Sequence, residues 1–373
     1  MKNSFKKLLA FMLCSTMVFT LLACGNDGTS NNATQNEVSA ESDTNKSEES
    51  KEDGKKETSG EVVQVVFWHS FSGATGEALE SIIADYNEGR GKEKGIEVEL
   101  VYQGYEGTDK VTLAYQTKDY ANAPDINVGL TSTISAVMDM DWTVSAETFL
   151  TDASSEISKD SFYGPLQRAC TYEGEMVGIP FANSIPLLYY NKAFLEEAGY
   201  DRAPETMDEL VEYVNALTVK DGDEIVRYGL NMQVKRYQLV EFCVSQSIES
   251  FFGNNEGGRV APMTEITAGE DGTLKAFLEK LQALLDTGGY KYVEDNPNEE
   301  FSQGLSAMLI MSSSRMGTLD NLMPGEYMTA YIPKVNEDDN GGAAIGGSCL
   351  NLFDRGDEER VFEIIHFSLL IYV

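Results

Sequence analysis

Apolar positions along this chain follow two rhythms that alternate. Val62 to Trp68 is a β-branched and aromatic run, and Ile96 to Val101 alternates apolar residues with glutamate, so both read as strands. Between them Ala78, Leu79, Ile82, Ile83 and Tyr86 recur at helical spacing, which predicts a helix over 74–86, followed by a charged turn from Gly91 to Gly95. Further on, the pattern predicts a helix over 111–118, a turn at Ala123-Pro124 into a strand reaching Val128, and a strand over 187–190. Helices follow over 193–198 and 206–217, the second opened by Thr206 with Asp208 and Glu209 behind it. A strongly striped helix is predicted over 274–285, strands at 308–311, within 327–333 and within 343–353, and a closing helix over 358–370. Strand–helix–strand order of this kind favours an α/β fold with a parallel sheet.

The first sixty residues depart from that rhythm. Lys2, Lys6 and Lys7 precede an apolar run from Leu8 to Leu22, shorter than the ~20 residues a spanning helix needs, and Ala23-Cys24 follows. This grammar resembles a bacterial lipoprotein signal, which implies removal of residues 1–23 and lipidation of Cys24; an ordinary secretory signal or an anchor helix is the alternative. Residues 25–60 are dominated by Ser, Asn, Thr, Glu, Asp, Lys and Gly and hold no aromatic residue. Such a segment buries too little apolar surface to offset chain entropy, and it reads as a disordered tether. Together these features predict a body held on the extracytoplasmic face of the cell membrane.

The body from Glu61 onward is about 310 residues long, large for one core and suggestive of two lobes. The formal charge is −33, and −33 less the three leader lysines is −36, which makes nucleic acid and anionic lipid poor partners. Of five cysteines, Cys14 lies in the leader and Cys24 is the lipid site. Cys170, Cys243 and Cys349 remain; their odd number and wide spacing argue against a disulfide framework, a CxxC redox motif or a zinc site, and they are expected as small buried residues. No metal site or cofactor is predicted: Asp338-Asp339-Asn340-Gly341 and Asp221-Gly222-Asp223 lack EF-hand spacing and read as solvated turns. His69 and His366 are the only histidines, and neither GxSxG nor HExxH occurs, which disfavours a serine or zinc hydrolase.

A set of short motifs then runs along the body. Phe67-Trp68-His69-Ser70 closes the first strand, and Ala121-Asn122-Ala123-Pro124-Asp125-Ile126, Gly178-Ile179-Pro180-Phe181 and Leu188-Tyr189-Tyr190-Asn191-Lys192 follow. Gly304-Leu305-Ser306-Ala307-Met308 with Ser312-Ser313, and Ile345-Gly346-Gly347, complete the set. In this order and spacing, from Val62 to about Phe367, the chain resembles the extracellular solute-binding proteins (family 1) of ABC transporters, in the group that carries sugars and glycerol 3-phosphate. The resemblance implies a two-lobed, periplasmic-binding-protein-like (type II) fold with a hinge and an interlobe cleft. It also implies a monomer without catalytic group or cofactor, and permease subunits as partners. It places crossings near 184–186, Met308 and Ile345, with lobe one as 61–184 plus 308–344 and lobe two as 185–307 plus 345–373. Relatives run roughly one quarter further past the match to Ile364–Leu370, so lobe two is expected to be incomplete.

A sugar or polyol offers apolar ring faces and many hydroxyls, and its site needs a few aromatic platforms amid neutral donors and acceptors. Candidates sit at strand ends and at the implied crossings. Trp68 and His69 are cleft wall, or else core and packing residues respectively. By the resemblance Tyr105 and Glu106 reach the ligand, the alternative being a surface loop. Asn183 with Ser184, and Ser312 with Ser313, are polar pairs beside apolar strands, for which a ligand hydroxyl is a reason. Gly346 and Gly347 let backbone approach a ligand or form a hinge bend. Tyr237 lies in Lys235-Arg236-Tyr237, where relatives place stacking tryptophans, a departure that weighs against glycerol 3-phosphate as ligand. Replacing Ser184 or Trp68 by Ala is expected to weaken binding without unfolding the protein. The alternatives from other classes are a secreted carbohydrate-active enzyme, although no spacing selects a carboxylate pair, and a cell-surface adhesin or scaffold.

Overall fold

A computed structural model of the protein describes residues 62–152, 157–247 and 249–355, which belong to the compact unit Ser59–Val373. The expected leader, Cys24, the expected tether and the expected 358–370 helix lie outside the described residues. The chain begins with β1 (Val63–His69), α1 (Gly73–Tyr86), β2 (Ile96–Tyr102), α2 (Gly107–Thr117), β3 (Ile126–Leu130) and β4 (Thr143–Val144). A small hairpin of β5 (Thr171–Tyr172) and β6 (Glu175–Met176) leads to β7 (Ile179–Ser184) and β8 (Pro186–Asn191). Next come α3 (Met207–Leu217), β9 (Val219–Asp221), β10 (Glu224–Met232), α4 (Arg236–Val244) and α5 (Thr273–Asp286). The last strands are β11 (Tyr290–Lys291), β12 (Ser306–Ser312), β13 (Tyr327–Ala330) and β14 (Gly346–Phe353).

These strands make two mixed sheets. The first runs β2-β1-β3-β14-β4, with β7 also paired to β14; the second runs β11-β10-β12-β8-β13, with β9 on β10. Among the named strands, parallel pairing joins β1 with β2 and β3, and β10 with β11 and β12. The strands that bring the chain back, β14 and β8, are antiparallel to their neighbours. In β1, consecutive residues Phe67, Trp68 and His69 are all buried, the mark of a strand covered on both faces. The helix α1 lays Leu79, Ile83 and Tyr86 against Val65 and Phe67 in the first core. In the second core α3 contributes Met207, Leu210, Tyr213, Val214 and Leu217, a helical stripe packed on Leu230 and Met308. That helix starts where its sequence signal stands: the Thr206 hydroxyl accepts the Glu209 N–H at 3.2 Å.

Three expectations are corrected. The charged turn at 91–95 is helical: a wide turn, Asn87–Gly91, and one α-turn, Lys92–Lys94, extend α1 before Gly95 ends it at φ 72°. Asn87 holds this extension by bonding both the N–H and the C=O of Val98 in β2, each at 2.9 Å. The crossing expected near Met308 is absent, and 308–344 does not return to lobe one. Its strands β12 and β13 pair with β8 in the second sheet. The reason is β10, a strand that the pattern did not reveal, whose parallel pairing with β12 makes Ala307–Ile310 a central strand buried on both faces. Conversely, the described part of 345–373 joins lobe one, because β14 pairs with β3, β4 and β7. The described chain therefore passes between sheets at 184–186 and returns at 344–346.

At the opposite edge of the first sheet, a buried ion pair locks this return. Asp125 accepts the Val66 N–H at 2.8 Å and binds Arg355 through two oxygens, Nε at 2.7 Å and Nη2 at 2.9 Å. Arg355 also donates to the Ala123 carbonyl at 2.6 Å, so the residue just past β14 clamps β1 and the entry to β3. Asp125 is only 1% exposed, and removing its cation leaves a desolvated carboxylate. Arg355→Met is expected to lower stability by about 3 kcal/mol, read from the urea midpoint.

Candidate functional site

Ligands of open α/β sheets bind outside the carboxyl ends of parallel strands, because loops and helix starts converge there. In the first sheet that edge carries His69 at the end of β1, Tyr102 and Gln103 at the end of β2, and Leu130-Thr131 at the end of β3. Since β14 runs against β3, its first residues Gly346 and Gly347 lie at this same edge, as does Ser184 at the end of β7. In the second sheet the carboxyl edge carries Ser312 and Ser313 after β12, beside Pro186 at the start of β8. Both passages between the sheets leave from these edges.

The polar candidates turn out to be bonded to one another. Gly346 is in register with Ser184, and a bulge follows at Gly347. Asn183 spans it, its Nδ2 donating to the carbonyls of Gly346 at 3.3 Å and Ser348 at 3.1 Å. Thr131 Oγ1 lies 3.5 Å from the Gly347 carbonyl. Gly347 has φ 101°, and a Cβ there would sit 2.5 Å from the Ala182 carbonyl oxygen, so only glycine fits. On the other side, Ile185 exchanges two bonds with Ser313: its N–H donates to the hydroxyl at 3.2 Å, and its carbonyl accepts the Ser313 N–H at 2.7 Å. The Ser312 carbonyl accepts the Tyr189 hydroxyl at 2.8 Å, and its own hydroxyl caps Ser314. Asn183, Ser184, Ser312, Ser313, Gly346 and Gly347 thus gather at the two passages, where they build a hydrogen-bonded joint.

The aromatic candidates divide. Trp68 is buried among Val111, Val137, Met140, Trp142 and Phe353, the core role that the sequence left open. His69 is 4% exposed, with its ring 5.6 Å from that of Tyr102, and burial holds its pKa below the usual imidazole range against a weaker upward pull from Glu80. Its Nδ1 has no hydrogen-bond partner among the described residues. Glu106 is exposed at the start of α2. The side chains of Tyr105 and Tyr237 lie outside those described. Sequence reasoning missed Tyr102, whose ring is 57% exposed beside His69, and Thr131. The carboxyl-end rule applied to β2 and β3 would have found both. Lys110 steadies the turn after Tyr102 by donating to the carbonyl and side-chain oxygens of Gln103 at 3.1 and 2.9 Å.

One acid bears on the second passage. Glu241, buried on α4, accepts the Ala344 N–H at 2.6 Å. Burial raises its pKa to about 8, opposed by the Ala344 N–H, which favours the charged form. A shallow groove of about 350 Å³ on α5 is lined by Gly269, Leu274, Lys275, Leu278, Glu279 and Gln282, none of them a sequence candidate. Among the described residues no group of His, Cys, Asp and Glu is placed to hold a metal ion, and no helix is long and apolar enough to cross a membrane.

Residues 81–369 match the family of bacterial extracellular solute-binding proteins. The chain belongs to this family. Its members are solute-binding proteins rather than enzymes, and nothing supports the carbohydrate-active-enzyme or scaffold alternative. The sn-glycerol-3-phosphate-binding periplasmic protein UgpB of Salmonella typhimurium is 26% identical over 320 residues, covering 82% of this chain and 69% of that protein. Among solved structures, the sugar-binding protein MalE of Xanthomonas citri has a TM-score of 0.66 at 19% identity, over 83% of this chain and 74% of that one. The GacH receptor of Streptomyces glaucescens, solved unliganded and with acarbose, has a TM-score of 0.64 at 16% identity, over 82% and 75%. These likenesses show the two-lobed α/β fold of solute-binding proteins.

Two predictions follow from the placements. Trp68→Ala empties a core site and is expected to destabilise the protein by about 4 kcal/mol in urea, rather than act on binding alone. Glu241 has a folded pKa above its unfolded value, so the stability it contributes is full below about pH 4.5 and is lost as pH rises to about 8. Glu241→Gln, which keeps an acceptor for Ala344, is expected to remove up to about 1.4 kcal/mol per pH unit of that slope, measured as urea stability across this window.

Proposed function

We propose that this protein is the lipid-anchored substrate receptor of an ABC importer, taking up a sugar, oligosaccharide or polyol derivative between its lobes and handing it to permease subunits. The observation that carries the reading is the convergence of both carboxyl edges on one hydrogen-bonded joint, in a chain of a solute-binding family. A joint of two adjacent passages lets the lobes rotate about it with few bonds broken, and closure around a ligand is the motion such a joint supports. The ligand class is supported by what the relatives bind: glycerol 3-phosphate for UgpB, and acarbose for GacH. The anchor is supported by the lipoprotein-like grammar of residues 1–24, with Cys24 as the lipid site. Ligand contacts are proposed from His69, Tyr105, Glu106 and Tyr237, with Tyr102 added to them and Ser184 and Ser313 at the joint.

The test is a thermal melt of the purified protein against mono-, di- and oligosaccharides and glycerol 3-phosphate. A ligand that prefers the folded state adds about 2.7 kcal/mol at a hundredfold excess over Kd, so one class is expected to raise Tm by about 4 °C. Tyr102→Ala, at an exposed position, is expected to reduce that shift while leaving the ligand-free Tm in place. The absence of a shift with every compound would remove carbohydrates and polyols as the ligand class.

A further inference from the structure

Three thiols lie among the described residues, Cys170, Cys243 and Cys349, all of them buried. Two belong to one core: Cys170, just past the short helix Gly164–Ala169, and Cys349, in the middle of β14, pack in the first hydrophobic cluster, to which Cys243 does not belong. Gly178 stands between them. Its N–H lies 3.5 Å from the Cys170 carbonyl, and the adjacent Val177 N–H donates to the same carbonyl at 3.0 Å. On its other side, a Cβ built on Gly178 would fall 3.1 Å from both Cβ and Sγ of Cys349. The backbone of this one glycine therefore meets both cysteines inside a single core. The family to which the chain belongs is extracellular, and protein thiols that meet outside the cytoplasm are readily oxidised.

We propose that Cys170 and Cys349 form an intrachain disulfide in the exported protein. The bond encloses a loop of about 180 residues and closes the excursion into the second sheet at its base, since β7 through β13 all lie between the two cysteines. The oxidant is a disulfide-bearing thiol oxidant. One cysteine attacks it as thiolate to give a mixed disulfide, and the second displaces the oxidant's remaining sulfur. Two cysteine thiols lose two protons and two electrons, and the oxidant's disulfide leaves as two thiols. Timing follows from burial. In the folded protein the thiol–thiol hydrogen bond and burial both push the Cys170 pKa upward, so its nucleophilic thiolate is suppressed. Exchange therefore takes place while β14 is still seating against β7.

The experiment uses the full chain, reduced and denatured, then refolded in a reduced and oxidised glutathione mixture. The product is unfolded in guanidinium with iodoacetamide and no reductant, digested, and read by mass spectrometry, so that each cysteine is scored by its own peptide. The expected result is a Cys170–Cys349 cross-linked peptide that disappears on reduction, with Cys243 alkylated. Cys170→Ser is expected to leave Cys349 alkylated as well. The cross-linked protein is expected to melt roughly 5–10 °C above the same chain refolded in excess dithiothreitol. Alkylation of both Cys170 and Cys349 without reduction, or pairing of either with Cys14, Cys24 or Cys243, would overturn the proposal.

Discussion

The fold depends on two stretches of backbone lying side by side where the chain leaves the first sheet and where it comes back. Ser184 and Gly346 are in register although 162 positions separate their numbers, and Asn183 and Gly347 hold that register across a bulge. Because β14 enters the first sheet between β7 and β3, the return passage cannot wander. Everything between the two passages, from β8 to β13, therefore forms its own sheet and core and stays attached through one narrow joint. Ser313 adds the second sheet to that joint by exchanging bonds with Ile185. Bonding concentrated in a few neighbouring peptides makes a stiff connection in translation that can still rotate, which suits a protein that opens and closes on a solute.

Around the joint, the polar groups of the structure serve two different ends. At the amino edge of the first sheet, buried Asp125 and half-buried Arg355 are doubly bonded, and their task is to fasten β14. At the joint the side chains of Asn183, Ser184, Ser312 and Ser313 are neutral, and several are spent on backbone partners. Glu241 is the exception, an acid drawn into the interior and held largely neutral below about pH 8, with an oxygen on the Ala344 N–H beside the return passage. A neutral joint within a strongly acidic molecule avoids like-charge repulsion at the place where the lobes approach.

Much of the fold was legible in the sequence, and for local reasons. α3 announced itself through Thr206 and its acidic first turn, and the structure has the cap where it was expected. β1, β2 and β12 were readable because apolar runs and apolar–polar alternation are short-range signals. β10 was not: Glu224-Ile225-Val226-Arg227-Tyr228-Gly229 mixes charge, glycine and apolar residues, and its rank as a central strand comes from pairing with Ser306–Ile310 far along the chain. The resemblance placed 308–344 in lobe one, and the pairing of β12 with β10 and β8 puts its strands in the second sheet instead. The site was half legible. Composition pointed to the polar residues that gather at the passages, but it could not distinguish a residue that faces a solute from one that bonds the neighbouring strand.

Taken alone, then, the sequence determined the class of protein, the alternation of strands and helices, the unusual character of the first sixty residues, and the clustering of small and polar residues at strand ends. The class follows from the resemblance that the motifs carry to a known family, and the rest from periodicity and residue chemistry within windows of a few residues. Tertiary structure decided which sheet each returning strand joined, that Trp68 belongs to the core, that Asn183 and Gly347 serve a bulge, and that Cys170 and Cys349 share one core. Each of those outcomes is a contact between residues distant in sequence. Such contacts are selected by the joint burial and hydrogen bonding of both partners, which no short window of the chain contains.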